Sequence, residues 1–164
     1  MSPSPEIREA TGEDWPLWRE LRLRALGESP GAFGSTYERE LAFTEAAWRG
    51  RLDGVAGPAV LATIGSRTVG MGAGFRDLPG WLHVVAMWTE PELRGAGVGT
   101  AVLAWLADWA DRNQLRLHLD VAQSNPRARQ VYERAGFVAT GEIRPLRDGA
   151  AEQVERLVLA RSRR

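Results

Sequence analysis

The spacing of apolar positions changes several times along the chain, and each change predicts an element. Residues 6–10 read as a short edge strand ending at Thr11-Gly12. Trp15, Trp18, Leu21, Arg22, Ala25 and Leu26 then follow helical spacing, with Thr11 or Asp14 available as a cap, Pro16 in the first turn and Gly27 as the stop. Residues 28–35 hold Pro30, Gly31 and Gly34 and predict a loop. Two short helices follow over 37–43 and 45–52, the second capped by Thr44. Residues 59–64 and 68–75 are strand-like runs joined by a Gly65-Ser66-Arg67 turn, and 81–88 is a third. Residues 98–112 carry Val98, Val102, Trp105, Leu106 and Trp109 on one helical face. Residues 115–121 alternate Leu115, Leu117, Leu119 and Val121 with Arg116, His118 and Asp120. Asn125-Pro126 predicts a helix start, with the helix running to about Ala135 and stopping at Gly136. Runs 137–145 and 153–160 close the pattern as strands. The order is roughly β-α-α-β-β-β-α-β-α-β-β, and the helix between the fourth and fifth strands requires those two to be parallel.

A chain of 164 residues without repeats or a long linker predicts one mixed α/β domain over 1–164. With 21 basic and 21 acidic residues the net charge is zero, which offers no field for nucleic acid or an anionic membrane. The basic cluster Arg161, Arg163 and Arg164 reads as a solvated end. No apolar run is long enough to span a bilayer, and residues 1–5 do not resemble a signal peptide, so the expected setting is the cytoplasm. The Ala, Arg and Gly bias fits a GC-rich, bacterial origin. Every basic residue is arginine, cysteine is absent, and His83 and His118 are the two histidines. These absences exclude disulfides, thiol nucleophiles, cysteine metal sites, Schiff-base chemistry and the lysine-dependent phosphate loop.

The chemistry that remains points to Glu90-Pro91-Glu92-Leu93-Arg94-Gly95-Ala96-Gly97-Val98-Gly99-Thr100. This run lies between a strand and an amphipathic helix. Its glycines let backbone N–H groups approach a ligand, and the helix dipole favours an anion there. A dinucleotide-binding loop would need glycine where Thr100 stands.

Arg94-x-x-Gly97-x-Gly99 resembles the acyl-CoA pyrophosphate loop of the GNAT superfamily of N-acetyltransferases. Met87-Trp88-Thr89-x-Pro91-Glu92 before it is similar to the same family, as is Asn125-x-x-Ala128-x-x-x-Tyr132-x-x-x-Gly136-Phe137 after it. The resemblance covers residues 6–160. It implies a mixed, mostly antiparallel sheet of about seven strands, with helices on both faces and the fourth and fifth strands splayed. It implies acetyl-CoA as acyl donor, no metal, and a primary amine acceptor, either a small molecule or a peptide N-terminus. The amides of residues 94–99 (Arg94, Gly95, Ala96, Gly97, Val98, Gly99) and Thr100 would hold the pyrophosphate. The Met87, Trp88 and Thr89 main chain, with Asn125 and Ala128, would flank the pantetheine arm. Tyr132 would protonate the departing thiolate, and Arg127, Arg129 and Arg134 are candidates for CoA phosphates. Many relatives pair, so a homodimer is compatible with the resemblance.

The general base is the open position. Relatives often place a carboxylate on the fourth strand, whereas residues 81–89 hold none. His83 is the substitute, on a face that period two shares with Trp81, Val85 and Met87. His118 with Asp120 reads as a structural contact. Phe33, Tyr37, Glu38 and Glu40 border the expected acceptor pocket. Gly27-Glu28-Ser29-Pro30-Gly31 matches a hydrolase elbow in letters only, because a helix precedes the serine and Pro30 follows it. The rival to an enzyme is a non-catalytic acyl-CoA sensor, which would not need Tyr132.

Overall fold

Seven strands form one sheet in the computed structural model, which describes residues 3–161; Met1, Ser2, Ser162, Arg163 and Arg164 lie outside the described residues. The strands are β1 (Glu6–Glu9), β2 (Ala59–Ile64), β3 (Arg67–Phe75), β4 (Trp81–Thr89), β5 (Arg116–Ala122), β6 (Phe137–Pro145) and β7 (Gln153–Leu159). Their order is β1-β2-β3-β4-β5-β7-β6. Every neighbouring pair is antiparallel except β4 and β5. The helices are α1 (Trp15–Glu28), α2 (Tyr37–Leu41), α3 (Glu45–Gly50), α4 (Val98–Arg112) and α5 (Pro126–Arg134). The mixed, mostly antiparallel architecture agrees with the sequence reading, including the parallel pair bridged by α4.

Alternation along the strands buries both faces of the sheet. Val60 and Ala62 join Leu82, Val84, Leu117 and Leu119 in a core under α4, against which α5 also packs. Ala59 and Leu61 point the other way, into a core with Trp18, Leu26, Trp48 and Trp88 under α1 and α3. Each such large side chain removed from water contributes about 1.5–3 kcal/mol. No helix among the described residues is long and apolar enough to cross a membrane.

Three local expectations shift. Helix α1 passes through Gly27 and ends at Ser29, whose N–H bonds Ala25 O at 2.9 Å; the residue before a proline avoids helical backbone, so Pro30 sets the stop. The ends of α2 and α3 unwind about two residues earlier than the pattern suggests. Met87 leaves the His83 face. Ala86 adopts φ 58°, and the β3–β4 register slips between Met71 and Ala73. Beyond this bulge Met87 packs on the α4 side with Leu82 and Val84, while Trp88 enters the opposite core.

Pairing of β4 with β5 covers only Trp81↔Arg116 to Val84↔Leu119. Past Val84 the two strands separate, and a cleft opens through the sheet. Helix α4 sits close to the sheet beside it because β3 offers glycine at 70 and 72. A Cβ at Gly72 would meet Val102 Cγ1 at 2.5 Å and Met87 Sδ at 2.8 Å. Gly72→Ala should therefore cost about 1–3 kcal/mol by overpacking, lowering Tm by at least about 2 °C in a thermal melt; an unchanged Tm would contradict this account of α4.

Candidate active site

The turn into α4 lies against α5, where a Cβ at Gly99 would lie 3.9 Å from Val131 Cγ1. Gly95 and Gly97 hold φ 88° and 89°, in the left-handed region that favours glycine. A Cβ at either would meet nothing within 4 Å, so backbone conformation, and not crowding, requires the glycines. The N–H groups of Arg94 and Ala96 are engaged by Pro91 O (3.3 Å) and Leu93 O (3.2 Å). This narrows the expected set of amides, because the turn over 91–93 uses those two for its own closure. Gly95, Gly97, Val98, Gly99 and Thr100 keep N–H groups without a partner among the described residues, at the N-terminus of a 15-residue helix. That concentration of donors and dipole suits a phosphate.

The Arg94 side chain turns away from this anion site. Its Nη2 and Nη1 donate to the Glu28 carboxylate at 2.7 and 3.1 Å, and its Nε donates to Thr89 O at 3.1 Å. Trp88 Nε1 donates to the same carboxylate at 2.9 Å. Arg94 thus ties the loop to α1 and the end of β4. The Arg94 guanidinium, with smaller help from Ser29 and Trp88, pulls the Glu28 carboxyl down to about 2. Arg129 pairs with Glu133 and Glu155, whereas Arg127 and Arg134 remain exposed on α5.

The cleft encloses about 720 Å³. Val85, Ala86 and Met87 line one wall, and Asn125, Ala128 and Tyr132 of the α5 region line another. Asn125 caps α5 by accepting from Ala128 N at 3.2 Å, which leaves its amide NH2 without a partner among the described residues. The Tyr132 ring sits edge-on to Phe137 at 6.0 Å, and its hydroxyl has no hydrogen-bond partner among the described residues. Desolvation pushes that hydroxyl up to about 12, so it keeps its proton. Phe33 is buried and lines the cleft. Tyr37 and Glu38 do not; they line a neighbouring hollow of about 420 Å³, with the Tyr37 ring lying beside Gly27 of α1. Glu40 is fully buried between Arg22 and Arg51, so it acts as a structural counter-ion.

His83 also lines the cleft, within a polar cluster the strand pattern did not reveal. Its Nδ1 lies 3.2 Å from the Asp77 carboxylate and its Nε2 3.8 Å from Asp120. His118 does not pair with Asp120; its Nε2 bonds Asp77 at 2.9 Å, and Trp81 stacks on its ring. Arg156 and Arg144 instead hold Asp120. Phe75 stacks on His83 at 5.2 Å. Burial lowers the His83 pKa despite the raising influence of Asp120 and Asp77, so the ring is neutral at pH 7. Asp77, His83 and His118 bring three ligand-type atoms within 4.8 Å of one another. Arg156 Nη2 is 3.5 Å from His83 Nδ1, a cation that opposes a metal at the same point.

Residues 15–137 match the model of the acetyltransferase (GNAT) family. The chain belongs to this family. A curated relative, acetyltransferase Atu2258 of Agrobacterium fabrum, is 34% identical over 71 residues. That match takes in 43% of this chain and 50% of the relative, so the chain spans about half the length of the curated protein it matches. A GNAT acetyltransferase structure from Streptococcus pneumoniae superposes with a TM-score of 0.74 at 18% identity, over 94% of this chain and 98% of that one. YncA from Salmonella typhimurium, a putative acetyltransferase solved with its cofactor acetyl-CoA, superposes at 0.72 with 16% identity, over 98% and 96%. At these identities the superpositions establish the fold.

Within this GNAT fold, sequence reasoning missed Asp77, Arg144, Arg156 and the cleft-facing role of Arg22. Asp77 sits in an ordinary turn sequence, and its partner His118 is 41 residues away. Only the parallel register, which sets His83 beside His118, brings them together. One electrostatic consequence is measurable. The Glu28 carboxylate contributes stability in full above its ordinary value of 4.5, and that contribution is lost as pH falls toward 2. Glu28→Gln should be less stable than the parent at pH 7, and the gap in urea melts should close between pH 4.5 and 2; a gap independent of pH would refute the Arg94 anchor.

Proposed function

We propose that this chain transfers the acetyl group of acetyl-CoA to a primary amine by direct attack within a ternary complex. The observation that carries the reading is one continuous cleft, holding both the unpaired edge of β4 and the free Tyr132 hydroxyl, on the helix α5 against which the first turn of α4 lies. Acetyl-CoA, when bound, supplies an acetyl group already activated as a thioester. The amides of Gly95, Gly97, Val98, Gly99 and Thr100 would hold its pyrophosphate. The Met87–Thr89 main chain, unpaired toward β5, would bond the pantetheine amides as a neighbouring strand does, with Asn125 donating from the other wall.

An alkylammonium has a pKa of about 10.4, so the acceptor must lose a proton before it attacks. Neutral His83 takes that proton, with Asp77 orienting the ring and stabilising the imidazolium. Cleft-facing amides of β4 past Val84 stabilise charge developing on the acetyl oxygen. Tyr132, kept protonated by its desolvated setting, donates its proton toward the departing sulfur, whose own proton affinity the same desolvation raises. The chain has no cysteine, so no acyl-cysteine stage is available. Arg94 acts in this scheme by shaping the loop. We place the reaction in the cytoplasm and assign it no metal.

The decisive measurements are ligand-induced thermal shifts and thiol release over an amine panel. Acetyl-CoA should raise Tm and NAD should not; the reverse would reject the reading, and acetyl-CoA binding without turnover on any amine would favour a sensor. Tyr132→Phe should keep acetyl-CoA affinity within about threefold and lower kcat by about 10²-fold or more. His83→Gln should lower kcat/KM by about 10²–10⁴-fold and remove an acidic limb lying below pH 6.5, because protonation of the parent His83 abolishes the base. Turnover should be unchanged in EDTA; its loss, restored by zinc, would instead assign Asp77, His83 and His118 to a metal.

A further inference from the structure

The wall of the cleft nearest α1–α3 carries an excess of positive charge. Arg22, Arg39 and Arg51 line it together with Phe33. Arg22 is 8% exposed; its Nε and Nη2 bond the Glu40 carboxylate at 3.0 and 2.9 Å. Its Nη1 is buried and has no hydrogen-bond partner among the described residues, and the Phe33 ring centroid lies 4.8 Å from its guanidinium carbon. Glu40 also accepts from Arg51 Nη1 at 3.2 Å, so one carboxylate is shared between two guanidinium groups. The Arg39 side chain has no partner among the described residues. The cleft's own carboxylate, Asp120, is already held by Arg156 and Arg144. Burial pushes Arg51 below its usual value; Glu40 opposes that shift, and the neighbouring Arg22 and Arg39 cations add to it.

A bare ammonium is a poor fit to such a wall, because like charges at low dielectric repel. An acceptor that carries an anion beside its amine is neutral overall and supplies the missing counter-charge. A guanidinium with an unused N–H matches a carboxylate oxygen in distance and direction. We propose that the acceptor is an amino-carboxylate, whose carboxylate is recognised by Arg22 with Arg39 and Arg51 while its amine faces His83. This rests on the acetyltransferase reading above and selects, within it, a small molecule over a peptide N-terminus, whose first residue has its α-carboxyl tied up in the peptide bond. Arg22 is then a specificity-determining residue, positioned by a Glu40 that substrate never touches.

The test pairs each amino-carboxylate with the same amine lacking the carboxylate: leucine with 3-methylbutylamine, phenylalanine with phenethylamine, 4-aminobutyrate with propylamine. Thiol release from acetyl-CoA is the readout. At least one amino-carboxylate should exceed its partner by about 100-fold or more in kcat/KM, since a site built to bond a polar group rejects the analogue without it. Arg39→Gln and Arg51→Gln should each raise the acceptor KM about tenfold and leave the acetyl-CoA KM unchanged. They are preferred to Arg22→Gln, which removes a buried ion pair and endangers folding. Equal or better turnover of the carboxylate-free amines, or of a tripeptide, would overturn the inference while leaving the acetyltransferase reading intact. Preference for an aminophosphonate over its carboxylate would overturn the assignment of the anion. Absence of both an acetyl-CoA thermal shift and thiol release would overturn the reading itself, and the inference with it.

Discussion

The early parting of β4 from β5 is the constraint on which the site depends. Four residue pairs join these strands, and then the ladder ends inside the sheet. Backbone N–H and C=O groups that would be paired in a closed sheet are left facing a cleft, and such groups are costly to bury without partners. A ligand that presents amides along that edge recovers the bonds. The bulge at Ala86 accompanies the parting. Its left-handed backbone costs an alanine roughly 1–2 kcal/mol relative to ordinary strand geometry, and strain of this kind persists where surrounding packing over-determines it. Here Met87 is held in the α4 core and Trp88 in the opposite one.

The two sides of the cleft differ in electrostatic character. Near α4, charge is handled by backbone amides and the helix dipole, with Arg94 withdrawn into a contact with Glu28 and Trp88. Toward α1–α3, charge is handled by arginines that outnumber their carboxylates. Between them lie two groups whose burial favours their neutral forms, the His83 ring and the Tyr132 hydroxyl. A neutral imidazole and a protonated phenol in a single cleft at neutral pH are the pair that the proposed transfer would need.

Much of the fold was legible along the chain. The alternation over 115–121, the amphipathic run 98–112 and the Asn125-Pro126 start all correspond to observed elements, because each is a local pattern enforced by one buried face. Legibility failed where the backbone departed from its period or where a contact was distant. Period two placed Met87 with His83, and a single left-handed residue reversed it. A glutamate on a short helix read as an acceptor contact; folding buried Glu40 against Arg22, 18 residues earlier. His118 and Asp120 share a strand face, yet each found a stronger partner elsewhere, Asp77 and Arg156.

By itself the sequence determined the order of elements, the parallel pair demanded by a helical crossover, and the glycine loop whose backbone must turn left-handed at Gly95 and Gly97. These follow from local sterics and side-chain periodicity. It also excluded thiol and lysine chemistry by composition. Only the tertiary structure decided which amides stay free, which way Arg94 points, and how Asp77, His83, His118 and Asp120 share their protons and charges. It alone left Arg22 buried with an unused N–H. Ion pairing and desolvation depend on distances between residues far apart in the chain, and no local pattern encodes those distances.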